Sequence, residues 1–155
     1  MNKLKFLIRI KFIFYNLLSN KKKLGLNLSE LELNFQNLNF EDLNMLKNIY
    51  LKISNNLSKE KLSKEYYFQT FDWLFFAKKI GGTDNIKIAK KNILLWSQSR
   101  YSFFSDVWEV ELASKRLVNL IYFYDFYSQT LNKKELVEVH DTINSHLILI
   151  KIYFL

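Results

Sequence analysis

The segment Trp108-Glu-Val-Glu-Leu-Ala-Ser114-Lys-Arg116-Leu-Val-Asn119 carries the most information about the fold of this chain. It places tryptophan, serine, arginine and asparagine in a fixed order within an aromatic-rich run, which predicts a long helix over about 106–129. Arg116 and Asn119 are expected to project from the same side, because positions about one turn apart share a helix face. The segment therefore predicts a helix with a paired polar feature on one face.

The composition of the chain favours an all-α fold. Its 155 residues are 49% hydrophobic and 17% aromatic, which is enough for one domain with a sizeable core. It contains no proline and three glycines, so long helices form easily and tight hairpin turns are scarce. The absence of cysteine excludes disulfides and thiolate metal sites. We expect a single domain over 1–155, or a part of one.

Helical spacing of hydrophobic residues predicts five helices, at about 41–57, 64–80, 83–97, 106–129 and 133–155. Gly81 is expected to cap the second of these, and Thr83 to cap the start of the third. Consecutive helices joined by short turns pack antiparallel, so the second and third, and the fourth and fifth, are expected to form α-hairpins. Stacked α-hairpins build solenoids or α/α toroids, and the helical pattern alone does not choose between them.

The first sixty residues are less regular. Residues 1–23 are apolar but interrupted by basic side chains, and they lack both the continuous core of a signal peptide and the length of a membrane-spanning helix. This basic amphipathic segment is interpreted either as a helix packed on the domain or as a weak contact with an anionic membrane surface. Residues 24–60 form a mixed extended and helical lead-in. The cytoplasm is the default compartment.

The formal net charge of +8 raises the question of a nucleic-acid partner. Only three of the basic residues are arginines, namely Arg9, Arg100 and Arg116. Arginine supplies the bidentate contacts to guanine and phosphate that DNA-binding proteins favour. No nucleic-acid partner is therefore expected.

Two motifs together resemble the N-terminal helical region of heparinase II/III-like polysaccharide lyases. One is Phe71-Asp72-Trp73-Leu74, followed by Gly81-Gly82, and the other is the W-x5-S-x-R-[IL]-x-N pattern of the segment quoted above. The resemblance covers about 60–150, and it departs from the family at Val110, where a proline often stands. It implies an incomplete α/α toroid over 61–155, an acidic, uronate-containing polysaccharide as partner, and work in the cell envelope or periplasm.

The chemistry that the resemblance implies is β-elimination, which needs a base, an acid and a group that neutralises the uronate carboxylate. Family members supply these from later toroid helices and a β-sandwich domain, and nothing in this chain matches those motifs. We therefore expect no catalytic residue here and an inactive isolated chain. His140 and His146 stand at i and i+6 on one predicted helix, on opposite faces, so no metal site or cofactor is expected.

Five residues are the candidates for substrate binding, namely Trp73, Trp108, Ser114, Arg116 and Asn119. Arg116 would meet a uronate carboxylate, while the two tryptophans would offer flat faces to sugar rings. The alternative is structural: Arg116 and Asn119 would hydrogen-bond neighbouring helices while the tryptophans fill the core.

The chain ends in an apolar run over 146–155 without a polar cap. This predicts a chain that stops early and lacks the later toroid helices and the β-sandwich domain, unless its end packs back on its own core. The predicted function is the N-terminal toroid part of a heparinase II/III-like lyase. Two other classes stay open: a helical interaction module that binds a protein partner through the aromatic face of helix 106–129, and a basic peripheral membrane protein.

Overall fold

The protein is described by a computed structural model over residues 40–54, 66–99 and 101–154. Every regular element within these ranges is helical, which confirms the all-α class. The α-helices are α1 (Phe40–Ser54), α2 (Tyr66–Thr70), α3 (Leu74–Ile80), α4 (Gly82–Ser97), α5 (Val110–Tyr122), α6 (Tyr124–Tyr127) and α7 (Lys133–Phe154). Single 3-10 turns cover Asp106–Trp108 and Ser128–Thr130. The basic segment 1–23 and the extended segments expected before residue 40 lie outside the described residues.

The single helix expected over 64–80 is wrong, because a turn at residues 71–73 separates α2 from α3. Phe71 occupies the left-handed region with φ 64°, which costs a residue with a side chain about 1–2 kcal/mol. Its ring is fully buried, edge-on to Trp73 at 6.0 Å and to Trp96 at 5.7 Å between centroids. Burial of a phenylalanine contributes about 1.5–3 kcal/mol, so the packing outweighs the backbone strain.

The long helix expected over 106–129 is also interrupted. Glu109 is extended, with ψ 137°, between the 3-10 turn of Trp108 and the start of α5. A second irregularity at Phe123, with φ −96° and ψ 12°, separates α5 from α6. Buried aromatics lie at both breaks, Trp108 at the first and Phe123 at the second. The second is followed by buried Tyr127, whose hydroxyl donates to the carbonyl of Leu120 at 2.8 Å. Tertiary packing of large rings has overridden the local preference for one straight helix.

The turn between α3 and α4 follows the sequence expectation at its glycines. Gly81 and Gly82 both have positive φ, at 68° and 81°, a conformation that glycine adopts without a steric penalty. The N-cap expected at Thr83 is wrong. The helix α4 begins at Gly82, its N-cap is Gly81, and Thr83 lies inside the helix.

The start of α7 at Lys133 agrees with the predicted boundary. The backbone N–H of Glu135 donates to Oδ1 of Asn132 at 3.0 Å, and the N–H of Asn132 donates to Oε2 of Glu135 at 2.8 Å. This reciprocal pair satisfies two backbone donors that the first helical turn leaves unbonded. It fixes the point at which the chain turns into α7.

The core lies among α1 to α7, with α5 packed against α2 and α7 and with α4 packed against α3 and α7. The side chains at its centre are fully buried; they include Trp73, Leu74, Ile93, Leu120, Tyr127 and Val139. Two polar side chains, Arg116 and His146, lie among them with no exposed surface. Within the part of the chain that the structure describes, no helix has the length and apolarity needed to cross a membrane.

Candidate functional site

Arg116 lies at the point where three parts of the chain meet. Its Nη1 donates to the carbonyl of Gln69 at 2.7 Å, and its Nη2 donates to the carbonyl of Val107 at 2.8 Å. Its Nε donates to Nε2 of His146 at 2.7 Å. The side chain therefore ties α5 to the end of α2, to the 3-10 turn before α5 and to α7.

The guanidinium of Arg116 is stabilised by aromatic rings as well as by hydrogen bonds. It lies 4.1 Å from the ring centroid of Trp96 and 5.7 Å from that of Trp108. A desolvated cation over an indole gains about 2 kcal/mol. Burial lowers the pKa of Arg116 to about 9, so the side chain stays charged at neutral pH. Asp84, Glu111 and Glu135 form ion pairs with lysines and not with this arginine.

His146 completes the cluster as a neutral imidazole. Its Nε2 accepts from Arg116, so its Nδ1 carries the hydrogen and donates to the carbonyl of Thr142 at 2.7 Å. Burial and the neighbouring charge of Arg116 hold the pKa of His146 well below its usual range. With both nitrogens bonded and no surface exposed, this ring acts in helix packing.

Asn119 makes the second link from α5 to the broken helix. Its Nδ2 donates to the carbonyl of Thr70 at 2.8 Å and to Oδ1 of Asp72 at 2.6 Å. The other carboxylate oxygen of Asp72 accepts from Oγ1 of Thr70 at 2.5 Å. These bonds hold the turn that follows Thr70, so the polar pair on α5 fixes the position of the turn between α2 and α3.

The two motifs singled out in the sequence are therefore in direct contact. Arg116 and Asn119 come from one motif, and Asp72 comes from the other. The bonds of Arg116 to Gln69 and of Asn119 to Thr70 and Asp72 each span 47 or more residues of chain. Long-range hydrogen bonds from buried side chains such as Arg116 and Asn119 specify one arrangement of helices, because leaving a buried partner unbonded costs about 1–3 kcal/mol. The motifs act here as a tie between helices.

A cavity of about 330 Å³ lies beside this cluster. The aromatic part of its lining consists of Trp96, Tyr101, Phe103 and Trp108. The polar part comes from the end of α4 and from one face of α7, and includes Ser97, Gln98, Glu138, Asp141, Thr142 and Ser145. The cavity thus combines ring faces with two carboxylates.

The five residues expected to bind substrate do not form one exposed surface. Trp73 and Arg116 are 0% exposed and Asn119 is 3% exposed, while Ser114 is half-buried. Trp108 alone of the five lines the cavity, although only 8% of it is exposed. Arg116 and Asn119 are hydrogen-bonded to neighbouring elements, as the structural alternative expects. Substrate contact by these residues stays a prediction, and for the fully buried ones it would require the helices to separate.

The aromatic residues of 106–129 that were expected to bind a protein partner are largely buried in the core. Phe123 is 2% exposed, Phe126 8% and Tyr127 0%. Tyr124 is half-buried, and its hydroxyl is 2.8 Å from Nε2 of His140 on α7. These rings serve the packing of α5 and α6 against the rest of the fold.

Sequence reasoning missed Gln69, whose carbonyl accepts from Arg116 and whose Oε1 accepts from the indole N–H of Trp96 at 2.8 Å. The available signal was the polar pair Gln69-Thr70 within an aromatic run, where polar side chains need buried partners. It also missed Glu138 and Asp141, since nothing in the sequence places their helix face beside the aromatic rings.

Comparison of this chain with family profiles, with curated proteins and with solved structures finds no match. Among the described residues, no three histidine, aspartate or glutamate side chains are grouped so that they could hold a metal ion. The geometry of the buried polar cluster and of the cavity is therefore the basis for any statement about function.

Proposed function

We propose that this chain forms part of an α/α toroid related to that of heparinase II/III-like lyases, and that it serves an acidic, uronate-containing polysaccharide without performing the chemistry itself. The supporting observation is the contact between the two motifs that carry the resemblance. Residues 47 positions apart, Asn119 and Asp72, are joined by a 2.6 Å hydrogen bond, and Arg116 reaches Gln69 across the same interval.

The link between these motifs has a clear use in a toroid. Each successive hairpin must meet the previous one at a fixed angle, and apolar packing alone tolerates alternative arrangements. Buried hydrogen bonds from α5 to the turn between α2 and α3 favour one arrangement. On this proposal, Arg116 and Asn119 hold the scaffold of the polysaccharide site and do not touch the sugar.

The net charge of the whole chain favours an anionic polymer, although the described residues contribute little to it. These residues carry 12 basic and 11 acidic side chains. The chain as a whole carries a formal charge of +8. A positive potential of this kind raises the local concentration of a polyuronate and weakens with salt.

Neither histidine of the described residues is free to act as the base of a β-elimination. His146 is buried and neutral, and His140 is bonded to Tyr124 on a part of the surface that does not line the cavity. A general base must lie within hydrogen-bond reach of the proton it removes from a bound substrate. We therefore expect the isolated chain to bind but not to cleave.

The test is native electrophoresis of the purified chain through gels containing polygalacturonate, polyphosphate of matched charge, or neutral dextran. We expect polygalacturonate to retard the chain most, and to do so at a physiological ionic strength of about 0.15 M, where simple charge attraction is screened beyond ~8 Å. Equal retardation by polyphosphate would show that the chain binds any polyanion of that charge, which would contradict the proposal. Release of unsaturated uronate, followed by ultraviolet absorbance, would contradict the non-catalytic role.

A further inference from the structure

The cavity beside Trp108 has a lining suited to a ligand of positive charge. We propose that it binds a small organic cation through an alkylammonium group, held between the aromatic rings and the carboxylates of Glu138 and Asp141. This site is separate from the proposed contact with an acidic polymer, and neither proposal depends on the other.

The polar part of the lining presents acceptors. The hydroxyl of Thr142 donates to the carbonyl of Glu138 at 2.9 Å, and that of Ser97 donates to the carbonyl of Ile93 at 3.0 Å. An amide hydrogen of Gln98 is used in a 2.8 Å bond to Oε2 of Glu138. The charged residues of the lining are Glu138 and Asp141, both of which carry carboxylates. Carboxylates attract N–H donors and cations and repel a uronate.

The aromatic part of the lining presents ring surfaces. The indole N–H of Trp96 donates to Gln69, and that of Trp108 donates to the carbonyl of Tyr101 at 3.4 Å. The rings of Phe103 and Trp108 lie 5.4 Å apart between centroids, as do those of Trp96 and Tyr101. The negative face of such rings attracts a cation, including an alkylated ammonium that cannot be stabilised by hydrogen bonds.

Charge and size agree with this assignment. Arg116 contributes one positive charge 4.1 Å from the ring centroid of Trp96, and the two acidic residues of the lining outnumber it. The volume of about 330 Å³ is at the lower end for small-ligand sites, which span ~300–1,000 Å³. It holds an alkylammonium group with a short stem.

The first experiment compares two ligands of nearly the same shape. The folded chain is titrated at constant ionic strength with choline and with 3,3-dimethylbutanol, its neutral isostere, and tryptophan fluorescence reports occupancy. We expect choline to bind about tenfold more tightly, which is the effect of one cation–π contact assisted by carboxylates. Equal binding of the isostere would overturn the proposal. So would tighter binding of glucose or glucuronate, which would assign the cavity to sugars.

Matched variants then locate the effect. Asp141→Asn and Phe103→Ala should each weaken choline binding severalfold, because one removes a carboxylate and the other a ring of the lining. Asp125→Asn makes the same charge change at an exposed position of α6, and Phe104→Ala removes an exposed neighbouring ring outside the lining; both should bind choline normally. Circular dichroism checks that each variant is folded. Equal weakening by Asp141→Asn and Asp125→Asn would indicate a general charge effect and contradict the site.

Discussion

At the scale of single residues, Arg116 shows why arginine and lysine are not equivalent inside a protein. Its Nε, Nη1 and Nη2 reach acceptors on three separate elements in one plane. Lysine keeps the charge but supplies its donors from one atom, so it cannot serve acceptors spread in this way. The role of Arg116 depends on the shape of its head group.

We predict that Arg116→Lys lowers the free energy of unfolding by about 2–4 kcal/mol, because at least one buried carbonyl or the imidazole loses its donor. The measurement is urea denaturation followed by tryptophan fluorescence. Val118→Ala, at a 39% exposed position of the same helix, is the control and should change stability little. If Arg116→Lys lowered the free energy of unfolding no more than the control does, Arg116 would not be the tie between these elements.

His146 makes the stability of the fold depend on pH. Its pKa is lower in the folded state than the value of about 6.5 expected for the unfolded chain, so its contribution is complete above that pH. As pH falls below about 6.5, the unfolded state takes up a proton that the folded state does not, and stability decreases. The sign is opposite to that of a histidine paired with a carboxylate.

We predict that the free energy of unfolding falls less steeply between pH 7 and pH 5 in His146→Gln than in the unchanged protein, since glutamine can accept from Arg116 without titrating. His140→Gln is the matched control and should retain the steep dependence. Denaturation curves at a series of pH values supply the slopes. Parallel slopes for all three proteins would show that carboxylates alone set the acid sensitivity.

At the scale of elements, the sequence located the helical regions but not their interruptions. Periodicity is carried by residue type, and the residues around Phe71 and Phe123 keep an apolar pattern through the breaks. The breaks exist because rings from distant helices compete for the same core volume, as the edge-on contact of Phe71 with Trp96 illustrates. The local sequence therefore does not predict where such breaks occur.

Helix caps give a test that separates sequence expectation from structure. We predict that Asn132→Ala destabilises the fold by about 0.5–2 kcal/mol, since its side chain accepts from the N–H of Glu135 at the start of α7. Thr83→Ala should be nearly neutral, because Thr83 is exposed within α4 and is not its N-cap. Thermal melts of the two variants decide this. A larger loss of stability for Thr83→Ala than for Asn132→Ala would support the N-cap at Thr83 that the sequence predicts.

At the scale of the whole molecule, the bond between Asn119 and Asp72 joins α5 to the turn between α2 and α3. Two side chains in direct contact, as buried Asn119 and half-buried Asp72 are, do not contribute independently to stability. The members of an exposed ion pair, such as Lys87 and Asp84, contribute nearly independently. Their side chains are 67% and 92% exposed.

We predict a coupling energy of about 1–2 kcal/mol in a double-mutant cycle of Asp72→Ala and Asn119→Ala. The same cycle on Asp84 and Lys87 should give a value close to zero. Both are measured by chemical denaturation of the single and double variants. Additive effects at Asp72 and Asn119 would mean that the two motifs pack side by side without being linked.

The amino-acid sequence by itself determined the all-α class, the start of α7 and the pairing of Arg116 with Asn119 on one face of α5. These follow from residue type and from spacing within about two helical turns, which local physics controls. Only the tertiary structure decided that Arg116 and Asn119 face inward, that His146 is their neutral neighbour, and that Glu138 and Asp141 share a cavity with aromatic rings. Those outcomes depend on which helix faces meet, and burial energy shared among distant residues decides that.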